Sequence, residues 1–114
     1  MVFVRQLDRL TVDGVAVSIV TIAELYEGVF LASQPEAVRA SIQRVQQDFK
    51  VLGIDVETAE RFGELRARLR RAGQLVPDLD LLIAATALRY GLTLCSQNVR
   101  HFQRIPGLVV LSLP

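Results

Sequence analysis

No stretch of this chain limits its fold more than Pro77 to Leu108, which runs PDLDLLIAATALRYGLTLCSQNVRHFQRIPGL. Leu81 to Leu88 is apolar on nearly every helical face, and a helix of that kind belongs inside a molecule. Gly91 marks its end, Leu92 to Cys95 has the composition of a buried strand, and a polar turn follows at once. Two carboxylates, Asp78 and Asp80, stand at its front edge. Two acids at the mouth of a buried helix fit two readings. They cap the helix and complement its dipole, or they hold a metal ion.

The remaining elements follow from the same patterns. Val15 to Val20 is a β-branched apolar run of the kind buried on both faces of a sheet. Thr21 opens a helix carrying Ile22, Leu25, Tyr26, Val29 and Phe30, which Gln34-Pro35 breaks. Pro35 suits the first turn of the next helix, Glu36 to about Phe49, where Val38, Ile42, Val45 and Phe49 keep helical spacing. Val51 to Ile54 is a short strand. Asp55 or Thr58 caps the helix that follows, with Ala59, Phe62, Leu65 and Leu69 inward and Gly73 as its stop. Leu108 to Leu111 is a last strand. At the front, Phe3, Leu7 and Leu10 are spaced as in an amphipathic helix, and Asp13-Gly14 is a turn signal. Strands alternating with helices predict parallel pairing and a three-layer α/β/α sandwich around a small parallel sheet.

A chain of 114 residues has room for one domain with a real core. With 51% hydrophobic and 22% charged residues, it falls among globular rather than disordered sequences. A formal net charge of +1 announces no nucleic-acid partner through overall electrostatics. Arg61, Arg66, Arg68, Arg70 and Arg71 crowd one helix against Glu60 and Glu64, which fits phosphate contact or, more simply, a solvated face favoured near a helix C-terminus. No apolar run has spanning length and no secretory pattern opens the chain, so a cytoplasmic location is expected. The single cysteine, Cys95, lies in a strand-like segment and reads as a buried, inert thiol.

In open parallel sheets the ligand crevice lies beyond the carboxyl ends of the strands. Glu24 follows the first predicted strand, Ser96 and Asn98 follow Leu92 to Cys95, and Asp80 opens the buried helix. Oxygen donors of this kind suit Mg²⁺ or Mn²⁺. Each residue also has a purely structural role open to it. Thr21-x-x-Glu24 fits a capping box, Asp78 the N-cap of its helix, Asp80 the helix dipole and Asn98 an ordinary turn. His101, the only histidine, reads as exposed or structural in a polar turn. Ser96 lacks the glycine-flanked turn of a nucleophile, and there is no phosphate-cradling glycine loop and no zinc spacing.

These residues stand in blocks that resemble the PIN-domain proteins, and among them the VapC-type toxins of toxin–antitoxin modules. The carriers are SIVTIAELYEG at Ser18 to Gly28, ETAERFGELRARLRRAG at Glu57 to Gly73, DLLIAATALRYGLTLCSQNVRHF from Asp80, and RIPGL at Arg104 to Leu108. The resemblance implies one PIN-like domain over residues 1–114 and a Mg²⁺- or Mn²⁺-dependent ribonuclease. It also implies a homodimer and a VapB-like antitoxin as partner, with RNA as substrate and no membrane. It assigns Glu24 and Asp80 as catalytic metal ligands and Asn98 as a further catalytic contact. His101 stands where an aspartate is common in the family.

Members normally open with a short apolar strand that ends in an aspartate. By pattern this chain lacks that strand, part of the first helix and the aspartate, and neither Asp8 nor Asp13 substitutes. The domain is therefore expected to be N-terminally incomplete, with its start inside a longer reading frame. Two functions compete. One is the metal-dependent endoribonuclease, and the other is a catalytically inactive remnant that acts by binding an antitoxin or a second copy of itself.

Overall fold

The computed structural model describes residues 2–4 and 14–112. Five strands form one all-parallel sheet: β1 (Val2–Val4), β2 (Val15–Ser18), β3 (Lys50–Leu52), β4 (Thr93–Ser96) and β5 (Val110–Ser112). Their order across the sheet is β3-β2-β1-β4-β5. The helices are α1 (Ile19–Leu31), α2 (Pro35–Asp48), α3 (Val56–Arg71), α4 (Asp78–Arg89) and the one-turn α5 (Val99–Phe102).

Neighbouring residues of a strand face opposite sides of its sheet, and β2 shows this directly. Ala16 joins the cluster built by Leu65, Leu69, Leu81, Ile83, Leu94 and Phe102, whereas Val17 joins Ile22, Val29 and Ile42. One face is thus covered by α3 and α4 and the other by α1 and α2, which is the three-layer α/β/α arrangement expected from the sequence. The apolar run behaves as its composition requires: Leu81, Ile83, Ala84, Ala85, Thr86 and Ala87 of α4 are all fully buried.

The centre of the sheet differs from expectation. Val2 to Leu10 has helical spacing in sequence, and the usual first strand is expected to be missing. Instead Val2–Val4 is a strand that pairs with β2 on one side and β4 on the other. Three residues are too few to display a period of two, and the central place supplies hydrogen-bond partners on both edges. The rest of the predicted N-terminal helix, with Asp8 and Asp13, lies outside the described residues.

Helix ends are set by local chemistry. Asp55 caps α3, its Oδ1 accepting both the Thr58 N–H and the Thr58 hydroxyl at 2.8 Å. Gly73 (φ 68°) closes the same helix, with the Gln74 N–H reaching back to the Leu69 carbonyl at 2.8 Å. Two ion pairs fix α3 and α4 as antiparallel neighbours, Arg89 with Asp55 at 3.0 Å near one end and Arg66 with Asp78 at 2.9 Å near the other.

Candidate active site

The polar residues gather where β2 and β4 end. Ser18, with extended backbone, caps α1 and accepts the Val20 N–H at 2.9 Å. The helix therefore begins two residues earlier than the sequence pattern predicts. Thr21 lies inside the first turn, so the expected Thr21–Glu24 capping box does not form. Glu24 sits one turn into α1, half-buried, on a helix that packs against α4.

Asp78 and Asp80 part company at the start of α4. The expected N-cap role of Asp78 is not found: Pro77 holds the cap position, no side chain caps the helix, and the Pro77 carbonyl accepts the Leu81 N–H at 3.0 Å. Asp78 is the first helical residue, 61% exposed, and its carboxylate turns outward to Arg66. Asp80 turns inward and is only 4% exposed. A buried carboxylate needs polar partners, and His101 supplies one, its Nδ1 lying 2.8 Å from Asp80 Oδ2.

His101 reaches Asp80 because β4 ends in a defined turn. The buried Ser96 Oγ accepts the Asn98 N–H at 2.9 Å, a bond that competes with strand pairing and ends the strand. This employment of Ser96 is structural. Asn98 then opens α5, the His101 N–H donates to the Asn98 carbonyl at 3.2 Å, and the fully buried Phe102 anchors the turn in the core. A segment read as a polar turn is thus a one-turn helix held by one aromatic ring. Asp80 and His101 are in contact, Asn98 is one turn away, and Glu24 is on the adjoining helix.

Cys95 precedes this turn and is buried, and the loss of hydration pushes its thiol pKa up, away from nucleophilic use. The donor chemistry at this edge, carboxylate and amide oxygen, is of the type hard divalent ions take. Among the described residues, however, no group of three or more His, Cys, Asp and Glu side chains could hold a metal ion. The described residues do not by themselves complete a metal centre.

Similarity to known proteins covers both sequence and fold. The PIN domain family pattern matches residues 1–108. Ribonuclease VapC4 of Mycobacterium tuberculosis is 38% identical over 108 residues, covering 93% of this chain and 82% of that protein. Ribonuclease VapC2 of Haemophilus influenzae is 37% identical over 92 residues, covering 81% and 70%. The crystal structure of DNA-bound VapBC from Salmonella typhimurium superimposes with a TM-score of 0.83 at 33% identity, covering 86% of this chain and 74% of that one. The blocks that carry Glu24, Asp80 and Asn98 and the α/β/α fold that presents them thus have one source: this chain belongs to the PIN-domain family and is homologous to the VapC toxins of toxin–antitoxin modules.

Proposed function

We propose that this chain is a PIN/VapC-type nuclease that hydrolyses RNA phosphodiester bonds with Mg²⁺ or Mn²⁺, with Glu24 and Asp80 as metal ligands and Asn98 as a further contact. The observation that carries the reading is Asp80, a carboxylate 4% exposed at the sheet edge and held by His101 at 2.8 Å. A buried acid held by an orienting histidine is costly as a helix-dipole ornament and suited to receive a cation. The ribonuclease names of its relatives point the same way. When bound, a divalent ion neutralises phosphate charge and activates water. The protein's own part is to hold Asp80 in one orientation and to keep Asp78, tied to Arg66, out of the site.

The fold relative in which VapB and VapC occur together supports an antitoxin of VapB type as partner, and we extend this to a homodimer in the cytoplasm. Among the described residues no helix is long and apolar enough to cross a membrane. A second reading, an inactive domain that acts by protein binding, has one observation in its favour. Phe30 and Leu31, both 78% exposed, end α1 with apolar surface. Incubating the purified chain with RNA in Mg²⁺ or Mn²⁺, and again with chelator, separates the two. Cleavage that the chelator stops establishes the nuclease. Intact RNA under every condition, together with antitoxin binding, establishes the binding protein.

A further inference from the structure

A buried helical threonine commonly donates its hydroxyl to the carbonyl four residues back. Thr86 does so, reaching Leu82 at 2.8 Å. Thr21 does not. It is 2% exposed, and among the described residues its Oγ1 is the one buried side-chain polar atom without a hydrogen-bond partner. The reason lies in where α1 begins. With the helix starting at Ile19, the residue four back is Val17, which belongs to β2 and is paired to β1 on one edge and to β3 on the other. The customary acceptor is therefore a strand carbonyl, directed within the sheet rather than up under the helix. A buried hydroxyl left unpaired is destabilising, and valine would pack as well, so packing does not explain its presence.

Helix geometry limits what the hydroxyl can reach. Val20 joins the cluster beneath α3 and α4 and Ile22 the cluster beneath α1 and α2, so Thr21 lies between them, in the first turn beyond β2. At about 100° and 1.5 Å per residue, Glu24 stands roughly 60° round the helix from Thr21 and about 4.5 Å along it. Leu25 and Gly28 complete that face, and of the three only Glu24 carries a side-chain acceptor. Residues three apart on a helix are neighbours, so the carboxylate is within reach of the hydroxyl. Thr21 is buried and Glu24 half-buried, which puts the hydroxyl on the core side of the acid.

We propose that Thr21 is the positioning residue of Glu24: its hydroxyl donates to the Glu24 carboxylate when that carboxylate holds the divalent ion, as His101 steadies Asp80. The inference rests on the nuclease reading for the ion, and ion binding is measurable apart from cleavage. Removing a group that orients a ligating carboxylate lowers metal affinity typically about 10–100-fold. In the ion-free chain the same hydroxyl has no partner. Its removal therefore raises stability while lowering affinity, a combination that a purely structural threonine does not produce.

The experiment is calorimetric titration of the full chain with Mn²⁺, beside urea titration of the ion-free samples. Thr21→Val is expected to bind Mn²⁺ roughly 10–100-fold more weakly than the parent while being the more stable of the two. Thr21→Ser keeps the hydroxyl and is expected to bind like the parent. Thr21→Val combined with Glu24→Gln is expected to bind no more weakly than Glu24→Gln alone, since the carboxylate through which Thr21 acts is gone. Unchanged affinity in Thr21→Val, equal loss in Thr21→Ser, further loss in the double variant, or no Mn²⁺ binding by the parent overturns the proposal. If the parent binds Mn²⁺ and cleaves RNA while Thr21→Val leaves affinity unchanged, the nuclease reading stands and the role of Thr21 falls. If Thr21→Val weakens Mn²⁺ binding as expected while no RNA is ever cleaved, the reverse holds.

Discussion

Thr21 and Thr86 are both buried helical threonines, and replacing each by valine should change stability in opposite directions. The Thr21 hydroxyl, in a residue 2% exposed, has no hydrogen-bond partner among the described residues. The Thr86 hydroxyl donates to the Leu82 carbonyl at 2.8 Å. A buried polar atom left unpaired costs roughly 1–3 kcal/mol, whereas a formed hydrogen bond contributes about 0.5–1.5 kcal/mol net. Valine has nearly the shape and helix propensity of threonine, so backbone effects cancel. Thr21→Val should therefore gain roughly 1–3 kcal/mol and Thr86→Val should lose about 1 kcal/mol. Urea titration with an unchanged m-value measures both. A loss of stability in Thr21→Val means that its hydroxyl is satisfied, and it refutes this description of the first turn of α1.

Phe102→Ala removes the ring that anchors α5 and should cost roughly 3–5 kcal/mol in the same titration, whereas Val56→Ala, on an exposed side chain, should stay within about 0.5 kcal/mol. His101→Ala removes the orienting partner of Asp80 and, under the proposed metal role, should lower Mn²⁺ affinity roughly 10–100-fold by calorimetry. Asp55 is held down to about 2 from 3.8, chiefly by the Thr58 N–H, then by the Thr58 hydroxyl and Arg89. A depressed carboxylate stabilises above its unfolded pKa and loses that contribution as pH falls through the folded one. The stability difference between the parent and Asp55→Asn, followed by thermal melts, should therefore be largest above pH 4 and close toward pH 2.

The buried helix α4 and strand β4 are legible in sequence because an uninterrupted apolar run leaves them no surface to occupy. The start of α1 is less so. Ser18 and Thr21 can both cap a helix, and only the end of β2 at Ser18 decides between them. The same competition misplaces Asp78, whose role passes to the Pro77 backbone and whose carboxylate goes to a partner twelve residues away. Asp80 and Glu24 are legible as candidates through their motifs. The contact between Asp80 and His101 is not, since it joins residues 21 apart through a turn whose helical form depends on the burial of Phe102. Val2–Val4 escapes pattern reading for a different reason: its strand character comes from the partners on both sides, not from its own three residues.

Asp78 and Asp80 lie on one turn of one helix with the same chemistry, and in the proposed function only the buried one takes part in catalysis. Rates of RNA cleavage in Mg²⁺ or Mn²⁺ for the parent chain, Asp78→Asn and Asp80→Asn measure that distinction directly. The predicted result is cleavage by the parent and by Asp78→Asn, and none above background by Asp80→Asn. Cleavage by Asp80→Asn at the parent rate, or a parent chain inactive with either metal, contradicts it.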